Sequence, residues 1–114
     1  MEEVESRINR KKLDRMASEK FGDLVKAVVD VERGRLVVNA ELHSDEEAFL
    51  LESGSNQEDL WGINIYPELP KEERIEFDSM INLRPSQGNS SMGVEDENLR
   101  RKISDIVNSK IDDE

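Results

Sequence analysis

The chain contains no cysteine. Disulfides, thiol nucleophiles and thiolate metal sites are thereby excluded. It has a single histidine, His43, and no HxH or HExxH spacing, so no multi-histidine metal centre is encoded. No Walker, GxGxxG or GxSxG motif occurs, and neither a cofactor nor a resident metal is expected. No apolar run approaches the ~20 residues that span a bilayer. Met1-Glu2-Glu3-Val4-Glu5 is acidic and lacks the apolar stretch of a signal peptide, so the cytoplasm is the expected location. Positive charge is also scarce. Lys and Arg number 16 against 27 Asp and Glu, a formal charge of −11. Such a surface repels phosphate backbones and anionic headgroups, so neither nucleic acid nor membrane is an expected partner. The short basic clusters Arg10-Lys11-Lys12 and Arg100-Arg101-Lys102 sit beside acidic residues and do not reverse that sign.

What is present is a folded pattern. A chain of 114 residues is expected to form one domain. It buries roughly 65% of its unfolded surface, enough for one modest core. Charged residues make up 38% and hydrophobic ones 35%, yet the hydrophobic ones cluster in periodic runs, unlike a disordered chain.

Residues 4–20 read as an amphipathic helix with Val4, Ile8, Leu13, Met16 and Ala17 as its stripe, stopped by Gly22. A hairpin follows from Val25 to Leu42. With Arg33-Gly34 as a two-residue turn, Val31 faces Leu36, Val29 faces Val38 and Ala27 faces Ala40, and Lys26 meets Glu41 on the other face. Ser44-Asp45-Glu46-Glu47 has the form of a capping box opening a short helix that Gly54 ends. Trp61, Ile63 and Ile65 alternate with Gly62, Asn64 and Tyr66 in a third strand, broken by Pro67 and Pro70. Residues 74–84 alternate again and predict a fourth strand. Its Ile75, Phe77, Ile81 and Leu83 face the core, and its Glu76, Asp78, Asn82 and Arg84 face outward. A polar loop from Pro85 to Gly93 leads into a last helix from Glu95 to about Lys110. The tails 1–4 and 112–114 are expected to fray. The fold class is α+β, helix-β-β-helix-β-β-helix, around a mainly antiparallel four-stranded sheet.

Four segments carry a family resemblance. They are Phe21 to Glu32, Glu41-Leu42-His43 with Asp45-Glu46-Glu47, Leu60-Trp61-Gly62-Ile63-Asn64-Ile65-Tyr66-Pro67, and Glu76-Phe77 through Gly88-Asn89, together covering most of residues 21–95. In these the chain resembles a domain-of-unknown-function family of short bacterial and archaeal proteins. The resemblance implies one compact α+β domain and carries over no activity, cofactor or site residue.

Three constellations are candidates for function. On the polar sheet face, His43 with Glu41 and Asp78 has the residue types for a divalent cation or an acid–base pair. The competing reading is a solvated face whose charges pair across strands, and the lone histidine favours it. In the loop, Arg84 offers a planar fork, and Ser86, Gln87 and Asn89 offer neutral donors. This suits a small anionic or amide-bearing ligand, although Glu95, Asp96 and Glu97 already occupy the helix end that phosphate would need. The competing reading is an ordered loop whose side chains satisfy backbone groups. On the outer face, Val28, Val37 and Met80 are apolar where solvent favours polar residues, which suggests a homodimer surface. The leading reading is thus an interaction or small-ligand-binding module that self-associates. The alternative is a small enzyme using Glu41, His43, Asp78 and Arg84.

Overall fold

The computed structural model describes all 114 residues. It is α+β, with three helices and an antiparallel sheet, as the periodicity predicts. The sheet holds five strands rather than four, in the order β1-β4-β3-β5-β6. These are β1 Glu2–Glu3, β3 Val25–Asp30, β4 Arg35–Val38, β5 Leu60–Ile65 and β6 Ile75–Glu76. Two further short strands, β2 Ile8–Asn9 and β7 Ile111–Asp112, pair in parallel as a separate ribbon. The helices are α1 Arg10–Lys20, α2 His43–Glu52 and α3 Glu97–Lys110. None is long and apolar enough to cross a membrane.

Strand alternation divides the sheet into two faces. Ala27, Val29, Leu36, Val38, Ile63 and Ile65 point to one face and are fully buried there. Leu13, Met16 and Ala17 of α1 and Ile103 and Val107 of α3 cover them. Val28, Val37 and Leu60 point to the other face, where Leu50 of α2 and Ile81 pack on them. Val28 and Val37 are fully buried inside the monomer. This corrects the expectation that they await a partner chain: the small α2, not α1 or α3, closes the outer face.

The local corrections share one cause, polar side chains that bind backbone. α1 starts at Arg10 rather than near Val4, because Asn9 caps it and accepts from the Lys11 N–H at 2.8 Å. Val4 and Ile8 are still buried, but from the segment before the helix. The hairpin is shifted by two residues: Val29 faces Leu36 and Ala27 faces Val38. The turn is Val31 to Gly34, because the Asp30 carboxylate accepts from the N–H groups of Glu32 and Arg33 at 3.0 Å each. Gly34, at φ +68°, closes it. A shift of two keeps every side chain on its face.

No capping box forms at Ser44. α2 begins at His43 and no side chain caps it. Glu46 turns inward instead and accepts from the Ala40 N–H at 3.0 Å. α3 starts at Glu97, capped by Asp96. Short strands lie within both tails: β1 pairs with β4, and β7 pairs with β2. Asp113 lies 2.5 Å from the buried Arg74 guanidinium, whose hydrogen bond and charge hold the Asp113 carboxyl below its usual range.

Candidate functional site

The predicted fourth strand ends after Glu76. Beyond it, side chains take over the sheet edge that backbone would have paired. The Asn82 carboxamide accepts from Gly62 N–H at 2.8 Å and donates to Gly62 C=O at 2.9 Å, copying a strand neighbour. Gly62 has to be glycine, since a Cβ there would stand 2.6 Å from the Ser79 side chain. Ser79 caps the 3₁₀ turn Met80–Asn82. Asn89 donates to the carbonyls of Asn82, Ser91 and Gly93 and accepts from Glu95 N–H.

Arg84 is committed to the same task. Its guanidinium donates to the carbonyls of Ile81 at 3.0 Å, Gln57 at 2.7 Å and Leu60. It also stacks 4.2 Å from the Trp61 ring centroid. Gln87 donates to Glu58 C=O, and Ser86 is exposed. Arg84, Gln87 and Asn89 therefore point into backbone and converge on no shared cavity.

His43 and Asp78 do converge. They line a cavity of about 290 Å³ with Lys26, Ser44, Asn64 and Ser79, and with an apolar side of Leu42, Met80, Ile81 and Met92. It lies where the start of α2 meets the 78–81 segment over the polar row of the sheet. That row runs across three strands, with Lys26 opposite Asn64 and Asn64 opposite Glu76. Glu41 is exposed and lines two other surface depressions. The four residues of the enzyme alternative are thus divided among different places. No group of three or more acidic or histidine side chains is close enough to hold a metal ion.

The cavity's polar groups are only partly satisfied by the fold. Asn64 Nδ2 donates to Glu76 Oε1 at 2.9 Å, which fixes the amide's orientation. Asn64 Oδ1 is itself buried, and the Asn64 side chain bears on His43, where it favours the protonated ring. His43 Nε2 sits 2.7 Å from Ile63 C=O. A carbonyl requires an N–H there, so Nδ1 is the unprotonated nitrogen of the neutral ring. Burial, aided by the Lys26 charge, lowers the imidazole below the usual histidine range; the Ile63 carbonyl, Asp78 and Asn64 oppose this. Lys26 makes no ion pair, and its ammonium lies 5.2 Å from the Phe21 ring centroid.

A model of a family described as a protein of unknown function, DUF5674, matches residues 2–110. The chain belongs to this family. The match extends beyond residues 21–95 and takes in α1 and α3. No curated protein and no solved structure matches the chain.

His43 and Asp78, expected on strands of the polar sheet face, reach the cavity from the start of α2 and from the segment after β6, and Lys26 was not among the candidates. In the two-residue turn, Lys26 is neutralised by Glu41. In the actual register its neighbour is Asn39, whose N–H bonds Lys26 C=O at 3.0 Å. The available signal was Asp30, a turn-capping residue four positions before Gly34.

Proposed function

We propose that the chain is a small-ligand-binding module whose ligand sits between the start of α2 and the 78–81 segment. The observation that carries this reading is one cavity that gathers the unpaired Lys26 with Ser44, Asp78 and the buried His43. Lys26 supplies the charge for an anion, and the Asp78 carboxylate is an acceptor for a ligand N–H. A small anionic or amide-bearing molecule therefore fits, whereas the net charge of −11 opposes nucleic acid and anionic membrane. The enzyme alternative narrows to His43 and Asp78, the only two of its four residues that share the cavity.

Self-association belongs to the same reading, with altered residues. Leu42 and Met80 on the cavity wall are 58% and 76% exposed, and we place the contact between copies there rather than at Val28 and Val37. Sedimentation showing only monomer at high micromolar concentration ends that part of the proposal. The ligand site is tested by ¹H–¹⁵N NMR against a library of small carboxylates and primary amides. Shifts clustering at Lys26, His43, Asn64 and Asp78 support it. A library that moves only other resonances, or none, overturns it.

A further inference from the structure

The outer side of α2 forms a groove with the C-terminal end of α1. Two depressions of about 400 and 440 Å³ lie there and share Lys20 and Glu41, so they run together. Phe21, Leu42 and Phe49 line it, each at least 36% exposed. The chain has only three phenylalanines, so two of them meet solvent in one groove. We propose that this groove binds a basic amphipathic helix of a partner protein. The helix sets apolar side chains on Phe21, Leu42 and Phe49, and Lys or Arg side chains on the acids beside them. The surface is separate from the small-ligand cavity, which it adjoins at Leu42.

The acids are Glu19, Glu41, Asp45 and Glu52, all exposed. None of them makes an ion pair, whereas Glu3, Asp30, Asp59 and Asp113 all do. The groove's only cation is Lys20, and its ammonium donates to Asn39 C=O at 2.6 Å instead. Four carboxylates thus stand against one ammonium along an apolar surface. Such a combination is selective. Solvated acids alone attract any cation, and exposed apolar groups alone attract any apolar surface, but a basic amphipathic segment matches both at once.

Charge also discriminates among the occupants. A second copy of this chain brings a net charge of −11 and no surplus of cations, and nucleic acid and anionic membrane are repelled by the same sign. The spacing favours a helix. Asp45, Ala48, Phe49 and Glu52 recur at helical intervals along α2, so acid, apolar and acid follow one another over two turns, about 10 Å. A helix laid beside α2 presents a cation, an apolar side chain and a cation over the same length. The Phe21 ring already holds one cation, the Lys26 ammonium at 5.2 Å from its centroid. A lysine or arginine of the partner meets Phe49 in the same way.

The test is fluorescence anisotropy of the intact protein with a labelled synthetic helix of about 14 residues, leucine on one face and lysine beside it. One comparison peptide scrambles the same composition, and the other carries glutamate for lysine. Both should bind about tenfold or more weakly than the amphipathic helix. Glu41→Lys combined with Asp45→Lys should weaken binding by about tenfold or more. The same charge change outside the groove, Glu72→Lys with Glu73→Lys, should weaken it by less than about threefold. Phe21→Ser and Leu42→Ser alter exposed side chains, so both should fold, and each should weaken binding by about fivefold or more. If the scrambled peptide binds as tightly, or the reversal at Glu72 and Glu73 costs as much as that at Glu41 and Asp45, the peptide reads net charge alone and the groove assignment fails. Absence of binding overturns it as well. If Leu42→Ser separates copies in sedimentation yet leaves peptide binding unchanged, the groove belongs to a second copy and the proposal fails. None of these results touches the small-ligand cavity, which the carboxylate and amide library tests through other residues.

Discussion

One face of the sheet lies in a cluster of 17 buried apolar residues under α1 and α3, whereas the face beneath α2 gathers four. The second face is closed by hydrogen bonds instead. Asp30 is fully buried there; burial alone raises its pKa, but Ser55 and the turn N–H groups outweigh that and hold it below the usual range. Glu46 is equally buried and keeps its proton. Asn82 stands in for a strand. The difference teaches where specificity can reside. Apolar packing tolerates many shapes but offers a ligand nothing directional, whereas a hydrogen-bonded face can leave a donor or acceptor deliberately open.

Mutations can break this contrast. The largest effect is expected on the apolar face, where Ile103→Ala should cost about 2–5 kcal/mol. Urea melts at pH 5 and pH 8 should give the same loss, since no titratable group touches that argument. Arg84→Ala should come next, at about 2–4 kcal/mol, because the carbonyls of Leu60 and Ile81 lose their donor. Arg84→Lys should recover little, as an ammonium cannot copy the planar fork. A loss near zero for Arg84→Ala in thermal melts would free the guanidinium for a ligand instead.

Glu46 gives the polar face a pH dependence that the apolar face lacks. Its pKa rises from 4.5 unfolded to about 9 folded. Its contribution is therefore fully present below pH 4.5 and is lost as pH climbs toward 9. The lowered carboxyls of Asp30, Glu3 and Asp113 lose their contributions at the acid end, outside that window. Glu46→Gln should flatten the profile and gain roughly 4 kcal/mol on the parent between pH 5 and pH 8. Parallel denaturation curves for the two proteins across that range would refute it. The smallest effect is expected for Lys26→Ala, within about 0.5 kcal/mol, because an unpaired, half-exposed lysine holds nothing together. A larger loss in the same melts would make the cavity's charge structural.

The contrast also explains what was legible in the sequence. Elements whose position depends on apolar period were readable: the body of α1, both strands of the hairpin, β5 and α3. Where a polar side chain bonds backbone, period misled. Ile75, Phe77, Ile81 and Leu83 alternate like a strand, yet Ser79 turns the chain and Asn82 pairs with Gly62 in place of backbone. Asp30 moved the hairpin by two and Asn9 delayed α1. Arg84 was singled out correctly as unusual but spends its donors on carbonyls. The cavity was half visible, since His43 and Asp78 were named, while Lys26 was hidden by the shifted register.

The ribbon of β2 and β7 has a consequence for the order of events during synthesis. Ile8 pairs with Ile111 and Asn9 with Asp112, and Lys110 reaches the carbonyl of Val4. The segment that leads into the first helix therefore waits for residues about a hundred positions later in the chain. Until these leave the ribosome, β1 and α1 are free to collapse on the hairpin, but the seam that fixes their ends cannot form. Contacts so distant along the chain close late and slowly. A nascent chain stalled within α3 should expose Val4 and Ile8 to chaperones, and one in which residues 111–112 have cleared the ribosome should hide them.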